Sequence, residues 1–163
     1  MAILITGMSG TGKSTVLQRL AQLGHTTVDT DEGGWIELAP LPDGTGTERM
    51  WVEDRIDALL SVHELSGEPL FIAGTVWNQG RFYPRFDDVV LLSAPVAVVL
   101  QRIADRDANP YGKSPAERLR VIADLTEFEP VLRETATVEI DTTRSLDDVV
   151  ATLAALVDPS LEA

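Results

Sequence analysis

Residues 7 to 14, Gly-Met-Ser-Gly-Thr-Gly-Lys-Ser, have a spacing that by itself specifies a chemistry. They satisfy G-x-x-x-x-G-K-[ST], in which the glycines let the backbone curl until successive N–H groups point inward as an anion nest. The helix that follows adds its positive N-terminal end. In such a loop Lys13 reaches the β- and γ-phosphates of a nucleoside triphosphate, and the Ser14 hydroxyl ligates Mg²⁺. Gly7, Ser9, Gly10, Thr11, Gly12, Lys13, Ser14 and Thr15 are therefore the expected phosphate wall. A chance match in a chain this long is on the order of half a percent at average residue usage.

Three further groups of residues could work on such a nucleotide. Asp29 and Asp31 lie two apart at the end of an apolar stretch, so both carboxylates can face one crevice. Asp29 is placed to serve the metal and Asp31 to orient or deprotonate a hydroxyl; the plainer reading is a solvated acidic turn running into Glu32. Arg102 and Arg106 stand at i and i+4 and share a helix face, where a helix C-terminus would favour cations in any case. Lys113 and Lys13 are the only two lysines, against eleven arginines. Asp141-Thr142-Thr143-Arg144 forms a turn ahead of the last helix.

These groups need a scaffold, and the apolar pattern supplies one. Residues 2–6 read as a buried strand leading into the glycine loop, and Val16, Leu17, Leu20 and Leu23 continue as a helix that Gly24 ends. A second strand is expected at 26–30, a Gly/Pro-rich loop at 32–46, and a helix capped by Thr47 running to about His63. The continuous apolar runs at 69–74 and 88–94 predict parallel strands covered on both faces. A helix over about 95–106, a break at 107–113, a helix restarted by the Ser114 capping box, a strand at 137–140 and a helix capped by Ser145 complete the chain. Strands alternating with helices imply an α/β fold with a parallel sheet between two helical layers.

Composition sets limits on the partner. With no cysteine and two separated histidines, oxygen ligands must hold any metal. A net charge of -13 opposes a phosphate backbone, so no nucleic-acid partner is expected. No apolar run approaches 18 residues and no leader pattern precedes the glycine loop, which reads as a mature cytoplasmic protein with no membrane partner.

With these residues in view, the chain resembles the small P-loop kinases, the group that includes shikimate kinase, gluconate kinase, adenylate kinase and chloramphenicol phosphotransferase. The likeness rests on the Gly7–Ser14 loop, on Asp29-Thr30-Asp31, similar to the Asp-x-Asp of shikimate kinase, and on Arg102-Ile-Ala-Asp-Arg106, similar to the R-I-x-x-R that opens the adenylate kinase lid. It rests also on the Asp141–Arg144 turn, which looks like an adenine-binding turn. The resemblance implies one domain over 1–163 with a three-layer P-loop NTPase fold and a five-stranded parallel sheet ordered 2-3-1-4-5. It implies an acceptor-binding insert over about 32–64 and a lid over about 106–114. By the same resemblance ATP and Mg²⁺ are the expected cofactors, Lys13, Asp31 and Arg106 the catalytic residues, Ser14 and Asp29 the metal ligands, and Arg102 and Arg144 further contacts to ATP.

The acceptor is not readable from the chain. Adenylate kinases carry Asp-Gly-Phe-Pro-Arg after the third strand, where this chain has Ala73-Gly74-Thr75-Val76-Trp77; of the triple glycine of shikimate kinase only Gly74 is present. The acceptor wall is expected from Asp31, Arg55, Gly74, Asn78 and Arg81, with Gly33, Gly34, Trp35, Arg49, Trp51, Gln79 and Tyr83 nearby. Trp51 at helical spacing reads equally as core. No Asn-Lys-x-Asp guanine-reading motif occurs, and no acid closes the third or fourth strand as in motor ATPases. The expected activity is transfer of the ATP γ-phosphate to a small-molecule hydroxyl or phosphate. The alternatives are a nucleoside monophosphate kinase and an ATP-binding regulatory module. The chain is expected to be a monomer or a homodimer.

Overall fold

The computed structural model describes residues 1–107 and 109–161. Strand β1 (Ala2–Thr6) is buried along its whole length, because it lies mid-sheet and helices cover both of its faces. Its parallel neighbours are β5 (Leu70–Ala73) and β6 (Asp88–Ser93), and β2 (Thr26–Asp29) and β7 (Val138–Asp141) form the two edges. Counted within this sheet, the order β2-β5-β1-β6-β7 is the 2-3-1-4-5 expected from the resemblance. The register pairs Ile3 with Phe71 and Asp88.

Side-chain alternation along β1 divides the core. Ile3 and Ile5 join Phe71, Val90 and Leu92 beneath helices α1 (Lys13–Gln22) and α5 (Leu146–Val157), which contribute Val16, Leu17, Leu20, Val149, Val150 and Leu153. Ala2 and Leu4 face the opposite side, where α2 (Glu53–Ser66) brings Ile56 and Leu60 and the 3₁₀ segment Gln79–Arg85 brings Phe82. A smaller cluster of Val99, Ile103, Val121 and Leu125 ties α3 (Val96–Asp105) to α4 (Pro115–Thr135), with Met8 of the glycine loop packed against it. Ser114 and Ser145 cap α4 and α5 as expected, each accepting a backbone N–H three residues on. Among the described residues no helix is long and apolar enough to cross a membrane.

One segment departs from expectation. Residues 32–46 are not wholly a loop, and Thr47 does not cap a helix. Strands β3 (Ile36–Pro40) and β4 (Thr47–Trp51) form an antiparallel hairpin, and the helix begins at Glu53. Leu41 N donates to Gly46 O at 2.8 Å to close the turn. Tertiary contact decides the matter: Trp51 is fully buried between Phe82 and Phe86, and its Nε1 donates to Thr30 Oγ1 at 3.0 Å. A Cβ on Gly74 would collide with Thr30 Oγ1 and come within 3.3 Å of the Trp51 ring. Gly74→Ala is therefore expected to lower stability by about 1–3 kcal/mol through overpacking, measured by denaturant unfolding.

Candidate functional site

The loop over residues 7–12 runs from the end of β1 to the start of α1, across the carboxyl ends of the parallel strands, where open α/β sheets bind ligands. A Cβ at Gly7 would sit 2.5 Å from Leu92 O, and Gly12, the residue preceding α1, has φ +100°. Glycine is needed at both places, the first for close approach and the second for left-handed backbone. Thr11 is buried, and its hydroxyl donates to Met8 O at 2.8 Å, so it braces the loop from behind.

Lys13 Nζ folds back to donate to Gly7 O and, at 3.0 Å, to Met8 O. Burial pushes its pKa down from 10.5 to about 8, against the opposing pull of Asp31 and Asp29, and Arg106 and Arg49 lower it further. A desolvated cation held on two loop carbonyls at the cleft, with no carboxylate in ion-pair reach among the described residues, fits an anionic phosphate ligand.

On one side of Lys13 a polar chain crosses from loop to hairpin. Ser14 Oγ donates to Asp29 Oδ2 at 3.1 Å, and Asp29 Oδ1 accepts from Asp31 N at 3.1 Å. Asp31 Oδ1 in turn accepts from Arg49 of β4 at 2.9 Å. These two side chains are half exposed.

On the other side Arg102 donates to Thr142 Oγ1 at 2.8 Å and to Thr142 O at 2.6 Å, which binds α3 to the turn before α5. Asp141 accepts from both the backbone N and the hydroxyl of Thr143, and those two bonds hold its carboxyl below the usual carboxylate range.

Arg106, just past α3, spreads its guanidinium over Ser9 Oγ at 3.3 Å, Asn109 O at 3.1 Å and Tyr111 O at 2.7 Å. Lys113 Nζ donates to Arg106 O. Ala108, part of the expected lid, lies outside the described residues.

All of this surrounds one cleft of about 1160 Å³. Gly7, Ser9, Gly10, Gly12, Lys13, Ser14, Thr15, Asp31, Arg102, Arg106 and Arg144 line it, as do Arg49, Thr75 and Tyr111. Thr11 and Asp29 stand behind the wall. Thr75 joins the wall without a motif to announce it: its hydroxyl donates to Gly7 O at 2.7 Å and lies 3.2 Å from Gly7 N, which ties the exit of β5 to the loop. Nothing in an Ala-Gly-Thr-Val sequence marks that role.

Four residues expected at the acceptor wall lie outside the cleft. Arg55 donates to Gly33 O and Gly34 O at 2.8 and 2.6 Å and stacks 4.2 Å over the Trp35 ring. Gly74 is packed against Thr30 and Trp51. Asn78 clamps the backbone of Trp51, and Arg81 pairs with Glu53; both face a separate recess of about 410 Å³ beside Met50 and Trp77. Arg49 of the hairpin, and none of these four, lines the cleft beside Asp31.

Comparison with known proteins gives this geometry a lineage. The AAA domain family matches residues 3–123. A shikimate kinase of Halorhodospira halophila (strain DSM 244 / SL1) is 30% identical over 155 residues, covering 86% of this chain and 84% of that protein. The chain belongs to the AAA-domain small P-loop kinases. Among solved structures, the shikimate kinase of Acinetobacter baumannii in complex with shikimate superposes with a TM-score of 0.59 at 24% identity, covering 96% of this chain and 92% of that one. A gluconokinase of Sinorhizobium meliloti 1021 gives 0.53 at 19% identity, covering 99% and 93%. At these identities the likeness is one of fold.

For this P-loop kinase the state of Lys13 makes a pH prediction. A phosphate bound at Lys13 would favour the charged lysine, so its pKa would rise on binding and nucleotide uptake would take up a proton above pH 8. Affinity is then expected to be flat below about pH 8 and to fall by up to about tenfold per pH unit above it. Calorimetric heats should vary with buffer ionisation enthalpy at about pH 9 and not at about pH 6.5. Folding stability of the free kinase has the opposite sign. The folded state loses the Lys13 proton before the unfolded chain does, so stability rises between pH 8 and 10.5.

Proposed function

We propose that this chain transfers the γ-phosphate of ATP to a hydroxyl of a small-molecule acceptor. The observation that supports this most is the Ser14–Asp29–Asp31 chain set beside Lys13, since it joins a metal-binding hydroxyl to a carboxylate at the cleft. Ser14 Oγ and an Asp29 oxygen would hold Mg²⁺, which supplies neutralisation of phosphate charge when bound. The loop N–H groups and Lys13 bind and fix the phosphates. Asp31 orients the acceptor hydroxyl and takes its proton at a carboxylate oxygen. Arg106 brings positive charge to the loop from the far side, where it meets the charge that develops on transfer.

Residues 106–114 act as a lid in this reading, with Arg106 at its root gathering Asn109 and Tyr111 over Ser9. Exclusion of water protects the phosphate from wasteful hydrolysis. The acceptor wall consists of Asp31, Arg49 and Thr75. A thermal-shift screen of hydroxylated metabolites with an ATP analogue and Mg²⁺, followed by assay of ADP release with ATP, tests the proposal. Release that requires one class of hydroxylated compound is the expected result. ATP binding with no turnover for any compound would point instead to a regulatory module.

A further inference from the structure

The hairpin that displaces the expected acceptor wall also places a cation on the group assigned to deprotonate the acceptor. We propose that Arg49 is a partial lock on Asp31, occupying Oδ1 and competing with proton transfer to that oxygen until an acceptor molecule draws the guanidinium away; this rests on the kinase reading above.

The geometry separates a fixed root from a free end. Trp77 N donates to Arg49 O at 3.1 Å, and Asn78 bonds both the N and the O of Trp51 at 2.8 and 3.1 Å. The backbone of β4 is thus pinned by the loop after β5. The Arg49 side chain, by contrast, is 56% exposed, makes its ion pair with Asp31 Oδ1 at 2.9 Å, and lines the cleft with Lys13. It can leave Asp31 with no change in the hairpin.

Left unguarded, Asp31 would serve water as well as an acceptor. Water oxygen would attack the γ-phosphorus, the bond from that phosphorus to the bridging oxygen of ADP would break, and the water proton would pass to an Asp31 oxygen. A guanidinium on Oδ1 competes for the lone pair that this step needs. An acceptor that offers Arg49 an anionic or strongly accepting group displaces the lock as it brings its own hydroxyl in, whereas water offers no such group. An exposed pair of this kind shifts a population by no more than about fivefold, and salt screens it. The lock therefore biases the outcome without blocking the site.

The test uses the full chain without acceptor, at saturating Mg²⁺ and ATP. Arg49→Gln is expected to release phosphate about two- to fivefold faster than the wild type. Arg49→Lys, which keeps a cation at this position, should release phosphate more slowly than Arg49→Gln, and adding Asp31→Asn to Arg49→Gln should cancel the gain. A second readout needs no nucleotide: in ¹⁵N spectra of the free protein the Arg49 guanidinium should show hindered rotation that Asp31→Asn relieves. Equal phosphate release by wild type and Arg49→Gln with equal ATP affinity, or a guanidinium signal indifferent to Asp31→Asn, would overturn the lock. Failure of the wild type to bind ATP would instead overturn the kinase reading, while the guanidinium spectra still report on the pair.

Discussion

Lys13→Met is expected to lower phosphotransfer by ~10² to 10³ or more while leaving the melting temperature unchanged or raised. The reason is the difference between the two states of the site. In the free protein the ammonium is desolvated and rests on the carbonyls of Gly7 and Met8, with its pKa pushed down to about 8. A buried charge of that kind contributes no folding stability, and an apolar side chain of similar length removes its desolvation penalty. In the proposed transfer the same ammonium would meet negative charge spreading over the phosphate oxygens, and its loss there would be felt in full. Single-turnover kinetics with a thermal melt on the same sample checks both halves. A folded variant that turns over at the wild-type rate would refute the assignment of residues 7–14.

The second large effect belongs to Asp31. Asp31→Asn preserves shape but removes the capacity to take a proton together with the charge paired to Arg49, so transfer is expected to fall by ~10² to 10⁴ with ATP affinity retained. The Asp31 backbone N, which donates to Asp29 Oδ1, is unaffected by the change. Asp29 stays bonded to Ser14, where the proposed mechanism has it hold the metal. Asp29→Asn should behave differently, raising the Mg²⁺ concentration needed for half-maximal rate. Loss of ATP affinity in Asp31→Asn would make that residue a structural or metal-binding group and leave the base unassigned.

How much of this was legible in the chain follows from how local each cause is. The phosphate loop is legible because its chemistry constrains eight consecutive residues, and the strands either side of β1 are legible because burial on both faces leaves continuous apolar runs. The Asp141–Arg144 turn and the two serine caps depend on neighbours within three residues. The hairpin was not legible. Its strands, Ile-Glu-Leu-Ala-Pro and Thr-Glu-Arg-Met-Trp, show no regular alternation, and they are held by Trp51 docking under Gly74 and by Asn78 from 27 residues away. Thr47 reads as a helix cap because threonine is a favoured N-cap residue, but the burial of Met50 and Trp51 takes precedence over that local preference. The same cause scattered the acceptor residues. Arg55, Asn78 and Arg81 are polar side chains near the site in sequence, yet each is taken up by a structural partner that only the fold brings near.

The central claim is that this cleft moves a phosphoryl group from ATP to a hydroxyl carried by another molecule. ³¹P NMR of the protein with ATP, Mg²⁺ and the acceptor found by screening tests it directly. The account predicts that the γ-phosphate resonance decays while a phosphoester resonance coupled to acceptor protons grows in step with ADP. Growth of inorganic phosphate alone, at a rate unchanged by the acceptor, would contradict it.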